Sequence, residues 1–464
     1  MIGADTRTDR HDVRVRPWPA AIVLAAAPFL VLFDSLAVAT ALPAIGAELG
    51  LRPGLLQWVV TLQSLSIGAL LVLGGRAADL WGRRRVLVAS LGLSAAAGLP
   101  VGIAPGPAPL LAGRALQGVA AAFALPAALA SAATVFPQEP WRSRAFAVVA
   151  VAANAAGLGG TILGGLVTAT LGWRWVFLVT VPVGLLAAVA AASFLPPDQP
   201  ATSAAGRLDV GGALLLVAGQ AALILGLTEA GKAGPTSPAA VGAVGGAVVL
   251  LAGLVVLEGR VGDPLIKPRL VRSRRLVGSC LAFGAHAAAY AAVVVVGSLY
   301  LQDRHGLSSA GAGMALAPVL AAAIVSAVPS GFLLRRWGAR RVVAAALALC
   351  AITLAMVARA SGGSLGAVLP WLVAWGLSAG PIYVGLTTEC IGDADPKDRG
   401  TASALFESTS HIGGAIAVAT YLTVLGAGLD YALVQLGGAA AAGAAAIATL
   451  RILPATRPAP RSDR

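Results

Sequence analysis

Four ionisable side chains stand inside stretches that are otherwise apolar, and these are the residues of the chain best suited to chemistry. They are Asp34, Arg114, Glu407 and His411. A carboxylate in the middle of a membrane-type segment costs about 2.5–3.5 kcal/mol unless it is neutralised, paired or hydrated. Burial also favours the protonated carboxyl group, so Asp34 is suited to carrying a proton. The alternative is an acid near the membrane edge that reaches the polar surface.

The other three residues each have two interpretations. Arg114 lies four residues into an apolar stretch, where it either faces the protein interior and pairs with an acid such as Asp34 or lies near the outer membrane surface. Glu407 and His411 are four residues apart, so one helix face would carry both, and they could share a proton or a hydrogen bond. They form either a second proton-binding or cation-selective site or a pair that only fixes helix packing.

The elements that must position these residues are membrane-spanning helices. About fourteen apolar stretches of helix length lie between Trp18 and Ile452, and a bilayer core needs roughly 20 apolar residues per crossing helix. Hydrophobic residues make up 58% of the 464 residues and charged residues only 11%, which excludes a water-soluble core. The stretches are unbroken rather than alternating, which favours helices over barrel strands. The sequence therefore predicts an all-α polytopic membrane protein.

The positive charges alternate between the loops. Arginines cluster in the N-terminal tail, in every second loop and in the C-terminal tail, while the loops between these clusters hold few. Because positive residues stay on the cytoplasmic side, both termini should be cytoplasmic. The net charge of +13 is then explained by topology and by contact with anionic membrane lipids, so we expect no nucleic-acid partner.

Several classes of site are not expected. Cys280, Cys350 and Cys390 lie in apolar stretches without a CxxC spacing, which is typical of buried hydrophobic residues. The helix that carries Glu407 and His411 offers too few ligand-type residues for a metal site. The chain has no phosphate-binding glycine loop, HExxH, GxSxG or paired-aspartate motif, so we predict no enzyme, no metal and no cofactor. The first apolar stretch has no cleavage site and is expected to be a retained anchor.

Two polar linkers divide the chain into six helices, a pair and six more. A weak repeat supports this plan, because a Trp-Gly turn followed by arginines ends the second helix of each six-helix unit, at Trp81-Gly82 and Trp337-Gly338. Related halves of this kind are how secondary transporters form a central site. The predicted parts are an N-terminal tail (1–17), an N-terminal bundle (18–195), a linker with two extra helices (196–258), a basic cytoplasmic linker (259–275), a C-terminal bundle (276–452) and a C-terminal tail (453–464).

Several motifs resemble the major facilitator superfamily, in its fourteen-helix drug:proton antiporter branch. They cover nearly the whole chain: FDSLAVATALPAI (33–45), GGRAADLWGRRRVLV (74–88), GRALQGVAAA (113–122), WRWVFLVTVPVG (173–184), RLDVGGALLLVAGQAALILGLTEA (207–230) and GDPLIKPRLVRSRR (262–275). The resemblance implies two six-helix bundles plus an extra helix pair. It also implies that Asp34 and Arg114 serve proton coupling, and that Glu407 and His411 are unusual for the family.

The resemblance assigns two further motifs. The loop after helix two implies a gate formed by Gly75, Asp79, Gly82, Arg83 and Arg84, in which Asp79 docks near Gly400 and Thr401 in the outward-facing state. The fifth helix implies a close-packing motif at Gly160, Thr161, Gly164 and Gly165. The family has a proline where this chain has Thr161. That departure removes a kink, weakens the case for antiport and leaves threonine to distort the helix by bonding back to it.

These observations predict a proton-coupled secondary transporter that exports amphipathic small molecules by alternating access, as in multidrug efflux and antibiotic resistance. The alternatives are a proton-coupled importer of a small metabolite and a non-transporting membrane protein. Its partners would be a lipophilic or cationic substrate, protons and membrane lipids. We expect a monomer in the bacterial plasma membrane. Candidate residues for the substrate cavity are Gln63, Asn154, Tyr290, Trp375 and Tyr383, although such aromatic residues also serve as interface anchors.

Overall fold

The structure is a computed structural model that describes residues 17–136, 141–198, 209–260, 268–392 and 399–453. Its fourteen long helices in these ranges are α1 Pro17–Leu49, α2 Pro53–Trp81, α3 Arg83–Gly102, α4 Pro107–Val135, α5 Trp141–Thr170, α6 Arg174–Phe194, α7 Val210–Ala233, α8 Pro238–Glu258, α9 Arg274–His305, α10 Ser309–Trp337, α11 Ala339–Ala360, α12 Leu365–Gly392, α13 Arg399–Gly426 and α14 Tyr431–Ile452. A short helix, Pro268–Val271, precedes α9.

Thirteen of the described helices are long and apolar enough to cross a membrane. In the remaining one, α5, the apolar stretch Ala155–Thr170 is shorter. The prediction of an all-α polytopic membrane protein is confirmed. The tails up to residue 16 and from residue 454, and linker residues 199–208 and 261–267, lie outside the described residues, although the predicted parts of the chain include them.

The helix contacts repeat with an offset of eight helices. In the first half of the chain, α1 packs on α5, α2 on α4, and α3 on α4 and α6. In the second half, α9 packs on α13, α10 on α12, and α11 on α12 and α14. The halves meet along two seams, α2–α13 and α5–α10, which the same offset relates. The weak sequence repeat therefore corresponds to a pseudo-two-fold arrangement of the two halves.

The two Trp-Gly turns have the same backbone conformation. Gly82 joins α2 to α3 with φ +99°, and Gly338 joins α10 to α11 with φ +80°. An L-residue with a side chain rarely adopts these angles, so glycine permits the tight turn in both halves.

Two helices deviate from regular α-helical geometry. In α6 the regular helix is interrupted at Val179, three residues before Pro182, whose missing N–H cannot bond to the carbonyl of Leu178. In α9 a π-helical turn spans Ala292–Val296. Gln435 of α14 donates from Nε2 to the Ala292 carbonyl at 3.0 Å, which satisfies a backbone acceptor at that turn.

The extra helices α7 and α8 pack on each other, and α7 also packs on α2 and α13. Side chains cap both helices: Asp209 accepts from Gly212 N at 2.8 Å, and Ser237 accepts from Ala240 N at 3.3 Å. We call the end of the bundle where α1 begins and α14 ends the near end, and the opposite end the far end.

Candidate functional site

Asp34 of α1 and Arg114 of α4 form an ion pair inside the first half. Arg114 Nη1 lies 2.5 Å from Asp34 Oδ2, and the residues are 0% and 4% exposed. The structure therefore places Arg114 in the interior, in contact with the acid that the sequence nominated as its partner. A charge pair buried this completely is expensive to form and very expensive to break by removing one partner.

Three further groups complete the hydrogen bonding of Arg114. Its Nε donates to the Val59 carbonyl at 2.7 Å, Nη1 donates to Gln117 Oε1 at 2.8 Å, and Nη2 donates to Gln63 Oε1. The guanidinium also lies 5.5 Å from the centre of the Phe177 ring. These contacts hold Arg114 through α2, α4 and α6 even without its acid.

Asp34 is less completely satisfied. Its Oδ2 accepts from Gln63 Nε2 at 2.6 Å as well as from Arg114, while its buried Oδ1 has no hydrogen-bond partner in the described part of the chain. A buried carboxylate oxygen without a donor is a place where a proton or a cationic group can bind. Because Gln63 belongs to α2, this network links the acid directly to a helix of the α2–α13 seam.

Glu407 of α13 occupies a different environment in the second half. Tyr383 of α12 donates its hydroxyl to Glu407 Oε1 at 3.0 Å, and the Tyr383 ring is 47% exposed. Phe283 of α9 stacks on Phe406 with ring centres 4.1 Å apart and lies 5.7 Å from the Tyr383 ring. The Glu407 carboxylate therefore lies beside three aromatic rings, Phe283, Tyr383 and Phe406, which we call the aromatic wall. Its hydrogen-bond donor among the described residues, the Tyr383 hydroxyl, is uncharged.

His411 does not share a hydrogen bond with Glu407, although the sequence spacing allows one. It faces α2, because a methyl group added at Gly68 would lie 3.2 Å from His411 Cβ and 2.9 Å from Ile412 Cγ1. Ser408 Oγ donates to the Gly68 carbonyl at the same seam. The structure therefore separates the two residues, with His411 on the seam and Glu407 on the aromatic wall.

The two acids lie in opposite halves of the bundle, and both halves contribute to one apolar cluster near them. Val31 of α1 and Ala404 of α13 belong to one apolar cluster at the α2–α13 seam. Asp34 and Glu407 each follow these residues by three positions, and α1 and α13 run in the same direction because eleven long helices lie between them. Each carboxyl group is thus about one helical turn further from the near end than the residue that its own helix contributes to this cluster.

Among the described residues, the close approaches between the halves at glycines lie at mid-depth and toward the far end. Gly68 meets Ser408 and Ile412 at mid-depth, Gly165 lies against the Ser309 carbonyl, and Gly313 lies against the Thr161 carbonyl. At the near end of α2, Asp79 and Trp81 are exposed.

The predicted gate residues are held by a residue that the sequence interpretation missed. Asp198, in the linker after α6, accepts from the backbone N–H groups of Arg84 and Arg85 at 2.9 and 3.0 Å, and so caps the N-terminus of α3. A methyl group added at Gly82 would collide with the Asp198 carboxylate. Two features of the sequence indicate this contact. Asp198 directly follows Pro196-Pro197, and the predicted topology places it at the same end of the bundle as the start of α3, whose N-cap residue Gly82 has no side chain to cap it.

The other gate residues pack around the same turn. Asp79 pairs with Arg83, with Nη2 and Oδ1 3.1 Å apart, and both side chains are partly exposed. Arg83 also donates to the Ala130 carbonyl at 3.2 Å, and Arg84 donates to the Ala192 carbonyl. A methyl group added at Gly75 would lie at an ordinary 3.5 Å from Pro126. The surroundings of Gly400, the predicted docking partner of Asp79, lie outside what the structure describes.

The glycines of α5 permit close contact with α1 and α10. A methyl group at Gly160 would lie 2.7 Å from the Phe33 carbonyl oxygen, and one at Gly164 would lie 2.5 Å from Ala37. Gly165 meets α10 at the far end of the second seam. Thr161 Oγ1 donates back to the Gly157 carbonyl at 2.9 Å, which is the local back-bonding considered from the sequence.

Gly160→Ala tests this packing against a matched control. We expect Gly160→Ala to destabilise the protein by about 1–3 kcal/mol, because the new methyl group overlaps the Phe33 backbone. At the neighbouring Gly159 a methyl group would meet only Leu163, at 3.9 Å, so Gly159→Ala should be neutral or stabilising by up to about 1 kcal/mol. Thermal unfolding in detergent measures both. Equal effects of the two variants would contradict the close contact.

The remaining cavity candidates are dispersed. Gln63 belongs to the Asp34 network, and Tyr383 contacts Glu407. Trp375 is fully buried, donates from Nε1 to Cys350 Sγ at 3.1 Å and stacks on the His286 ring at 5.9 Å. Tyr290 packs at a tilt on Trp375, with ring centres 6.0 Å apart. The side chain of Asn154 lies outside the described residues.

Comparisons with known proteins show which family the chain belongs to. The family described as Major Facilitator Superfamily matches residues 24–418. The chain is 35% identical over 427 residues to the cephamycin export protein of Amycolatopsis lactamdurans, which covers 91% of this chain and 88% of that protein. It is 34% identical over 414 residues to a puromycin resistance protein of Streptomyces alboniger, which covers 88% and 82%.

Solved structures show the same fold. The crystal structure of the POT family transporter PepTSo superposes with a TM-score of 0.70 at 15% sequence identity, and the match covers 94% of this chain and 97% of that one. At such low identity the likeness establishes the fold alone. Together with the family match over most of the sequence, it shows that the chain belongs to the major facilitator superfamily of membrane transporters.

Proposed function

We propose that this protein is a proton-coupled secondary transporter that exports amphipathic small molecules, such as an antibiotic or another drug, by alternating access. The observation that carries the proposal is the placement of Asp34 and Glu407 in opposite halves of the bundle, the first linked through Gln63 to α2 and the second on α13, the two helices of one seam. The relatives include a cephamycin export protein and a puromycin resistance protein, which supports export of compounds of this class.

The Asp34–Arg114 pair is the proposed coupling element of the first half. Protonation of Asp34 removes the charge that Arg114 neutralises, and Arg114 then keeps the Val59 carbonyl, Gln63 and Gln117 as partners. Gln63 loses its charged acceptor in the same step, which changes the packing of α2. Because α2 forms one side of a seam between the halves, a proton on Asp34 shifts the balance between the two conformations.

Glu407 is the proposed site at which a substrate cation and a proton compete. Tyr383 supplies a neutral hydrogen-bond donor, and the rings of Tyr383, Phe283 and Phe406 supply apolar area and aromatic faces for a cation. Protonation of Glu407 removes the attraction for the cation and releases it. His411, at the α2–α13 seam, is proposed to respond to the same movement rather than to share a proton with Glu407.

The gate of Asp79, Gly75, Gly82, Arg83 and Arg84 is proposed to close the near end in the opposite conformation. Asp79 is exposed, and the close approaches between the halves at described glycines lie at mid-depth and toward the far end, which supports a bundle open at the near end. When the near end closes, Asp79 would dock at the start of α13, next to Thr401, where the helix N-terminus favours a negative charge.

Localisation and energetics follow from the same scheme. We propose a multi-pass protein of the bacterial plasma membrane, with the near end and both termini cytoplasmic, that works as a monomer with protons, substrate and membrane lipids as partners. One elementary charge moved across 100 mV supplies about 2.3 kcal/mol, before a pH gradient is added. For a neutral substrate exchanged for one proton, that is enough to concentrate the substrate about fiftyfold, since each 1.4 kcal/mol is about a factor of ten.

A proton-coupled importer is the second candidate, and Thr161 favours it. This residue takes the place of the proline of the antiporter motif, and its bond to Gly157 remains within a continuous α5. The direction of transport in vesicles of known orientation distinguishes the two, because an importer moves substrate together with protons and an exporter moves it against them.

Uptake into proteoliposomes with an imposed pH gradient tests the proposal. Puromycin and tetraphenylphosphonium serve as probes, with protein inserted in the inside-out orientation. We expect uptake when the lumen is acidic, and loss of the dependence on the gradient in Asp34→Asn, since a permanently neutral side chain can no longer exchange a proton. Gradient-driven uptake that is unchanged in Asp34→Asn would remove Asp34 from the coupling scheme.

A further inference from the structure

Helix α7 is attached to the first half near its far end. Gln57 of α2 donates from Nε2 to Thr228 Oγ1 of α7 at 2.5 Å, and both residues are buried. One turn further along, the Lys232 side chain packs over α2, since a methyl group added at Gly54 would lie 3.1 Å from Lys232 Cε. This end of α7 therefore has a polar bond and close packing to a single helix of the first half.

The near end of α7 also lies on the first half. Ala213 belongs to a buried cluster with Leu73 of α2, and Phe123 of α4 packs against that cluster. Both ends of α7 thus contact helices that belong to the first half, and the contacts extend along α2 from Gly54 to Leu73.

Helix α13 of the second half crosses the middle of α7. Ile224 packs in a cluster with Ala415 and Ala419, and Val217, Ala221 and Ile416 lie against it. The side chains that α13 contributes are apolar, and two of the three are alanines. A contact of this kind has no directional bond, so one helix can shift along the other without leaving a polar group unsatisfied.

We infer that α7 moves with the first half and seals the α2–α13 seam against lipid while α13 slides beneath its middle. Breaking the Gln57–Thr228 bond would leave the buried Gln57 amide without its acceptor, although Thr228 would keep its own bond to the Ile224 carbonyl, so α2 and α7 stay together. When the halves part at the far end, α7 bridges the opening between α2 and α13. The related seam, α5–α10, is closed by backbone contact at Gly165 and Gly313 instead.

Paired cysteines distinguish movement with the first half from movement with the second. The background replaces the three native cysteines, Cys280, Cys350 and Cys390, with serine or alanine. One variant joins α2 to α7 (Gln57→Cys with Thr228→Cys). The second variant joins α7 to α13. Two pairs are candidates, Ile224→Cys with Ala419→Cys and Ala221→Cys with Ala415→Cys. The pair that mass spectrometry shows to cross-link more completely is used.

We expect oxidation of the α2–α7 pair to leave tetraphenylphosphonium uptake unchanged. Oxidation of the α7–α13 pair should abolish uptake, and a reductant should restore it. Hydrogen–deuterium exchange gives a readout that needs no substrate, and only the α7–α13 cross-link should slow exchange at the far ends of α2 and α13. The inference would be overturned if the α2–α7 cross-link abolished uptake or slowed exchange, or if uptake persisted with the α7–α13 cross-link. Failure of Gln57→Cys and Thr228→Cys to cross-link would also overturn it.

Discussion

Arg114→Gln is expected to lower the free energy of unfolding by about 3–5 kcal/mol, because it leaves the buried Asp34 carboxylate without its cation. Asp34→Asn should cost less. Arg114 would keep the Val59 carbonyl, Gln63 and Gln117, whereas an Asp34 without arginine keeps only Gln63. Thermal and denaturant unfolding in detergent measure the difference between the two variants.

The double variant and a surface control make this prediction specific. Asp34→Asn combined with Arg114→Gln removes both charges and should be more stable than Arg114→Gln alone. Arg174→Gln breaks a half-exposed pair with Glu48 at the far end and should cost no more than about 1 kcal/mol. A double variant less stable than Arg114→Gln would show that the cost arises from lost packing rather than from an unpaired charge.

Glu407→Gln is expected to reduce the uptake of tetraphenylphosphonium at least about tenfold, which corresponds to about 1.4 kcal/mol of binding free energy. The reason is that the substitution removes the negative charge from the aromatic wall and retains its shape. A neutral lipophilic dye should be transported as before. Tyr383→Phe keeps the charge and removes one hydrogen bond, worth about 1 kcal/mol, so its effect should be severalfold at most.

Glu229→Gln is the matched control for this experiment. Glu229 is a half-buried acid that pairs with Lys232 at 2.7 Å on the same helix, near the far end of α7. Its replacement should leave the uptake of both probes unchanged. An equal loss of cationic and neutral uptake in Glu407→Gln would mean that Glu407 only supports packing, and unchanged cation uptake would exclude it from substrate recognition.

The sequence predicts the membrane-spanning helices and the paired halves well, because the apolar content and length of each crossing are local properties. It also nominates Asp34 and Arg114, since a charge in an apolar stretch is conspicuous. The two residues are 80 positions apart in the sequence, and their contact depends on how α1 packs against α4. Only the folded structure gives the distance between their side chains.

Other parts of the site could not be predicted because they depend on side-chain direction. The spacing of Glu407 and His411 permits a shared hydrogen bond, yet in the folded structure one faces Tyr383 and the other the α2–α13 seam. Asp198 follows Pro196-Pro197 in a polar linker, but its capping role appears only when the start of α3 lies beside it. Trp375 looked like a cavity residue but is fully enclosed.

The π-helical turn of α9 determines which residues of this helix face the protein interior before and after the turn. One extra residue at Ala292–Val296 turns the following segment by about 100° relative to an uninterrupted α-helix. Phe283 and His286, before the turn, stack with α13 and α12, while Tyr300, after it, donates to the Ser361 carbonyl at 2.8 Å. A single inserted residue thus lets one helix contribute to the aromatic wall at one level and anchor a loop of the far end at another.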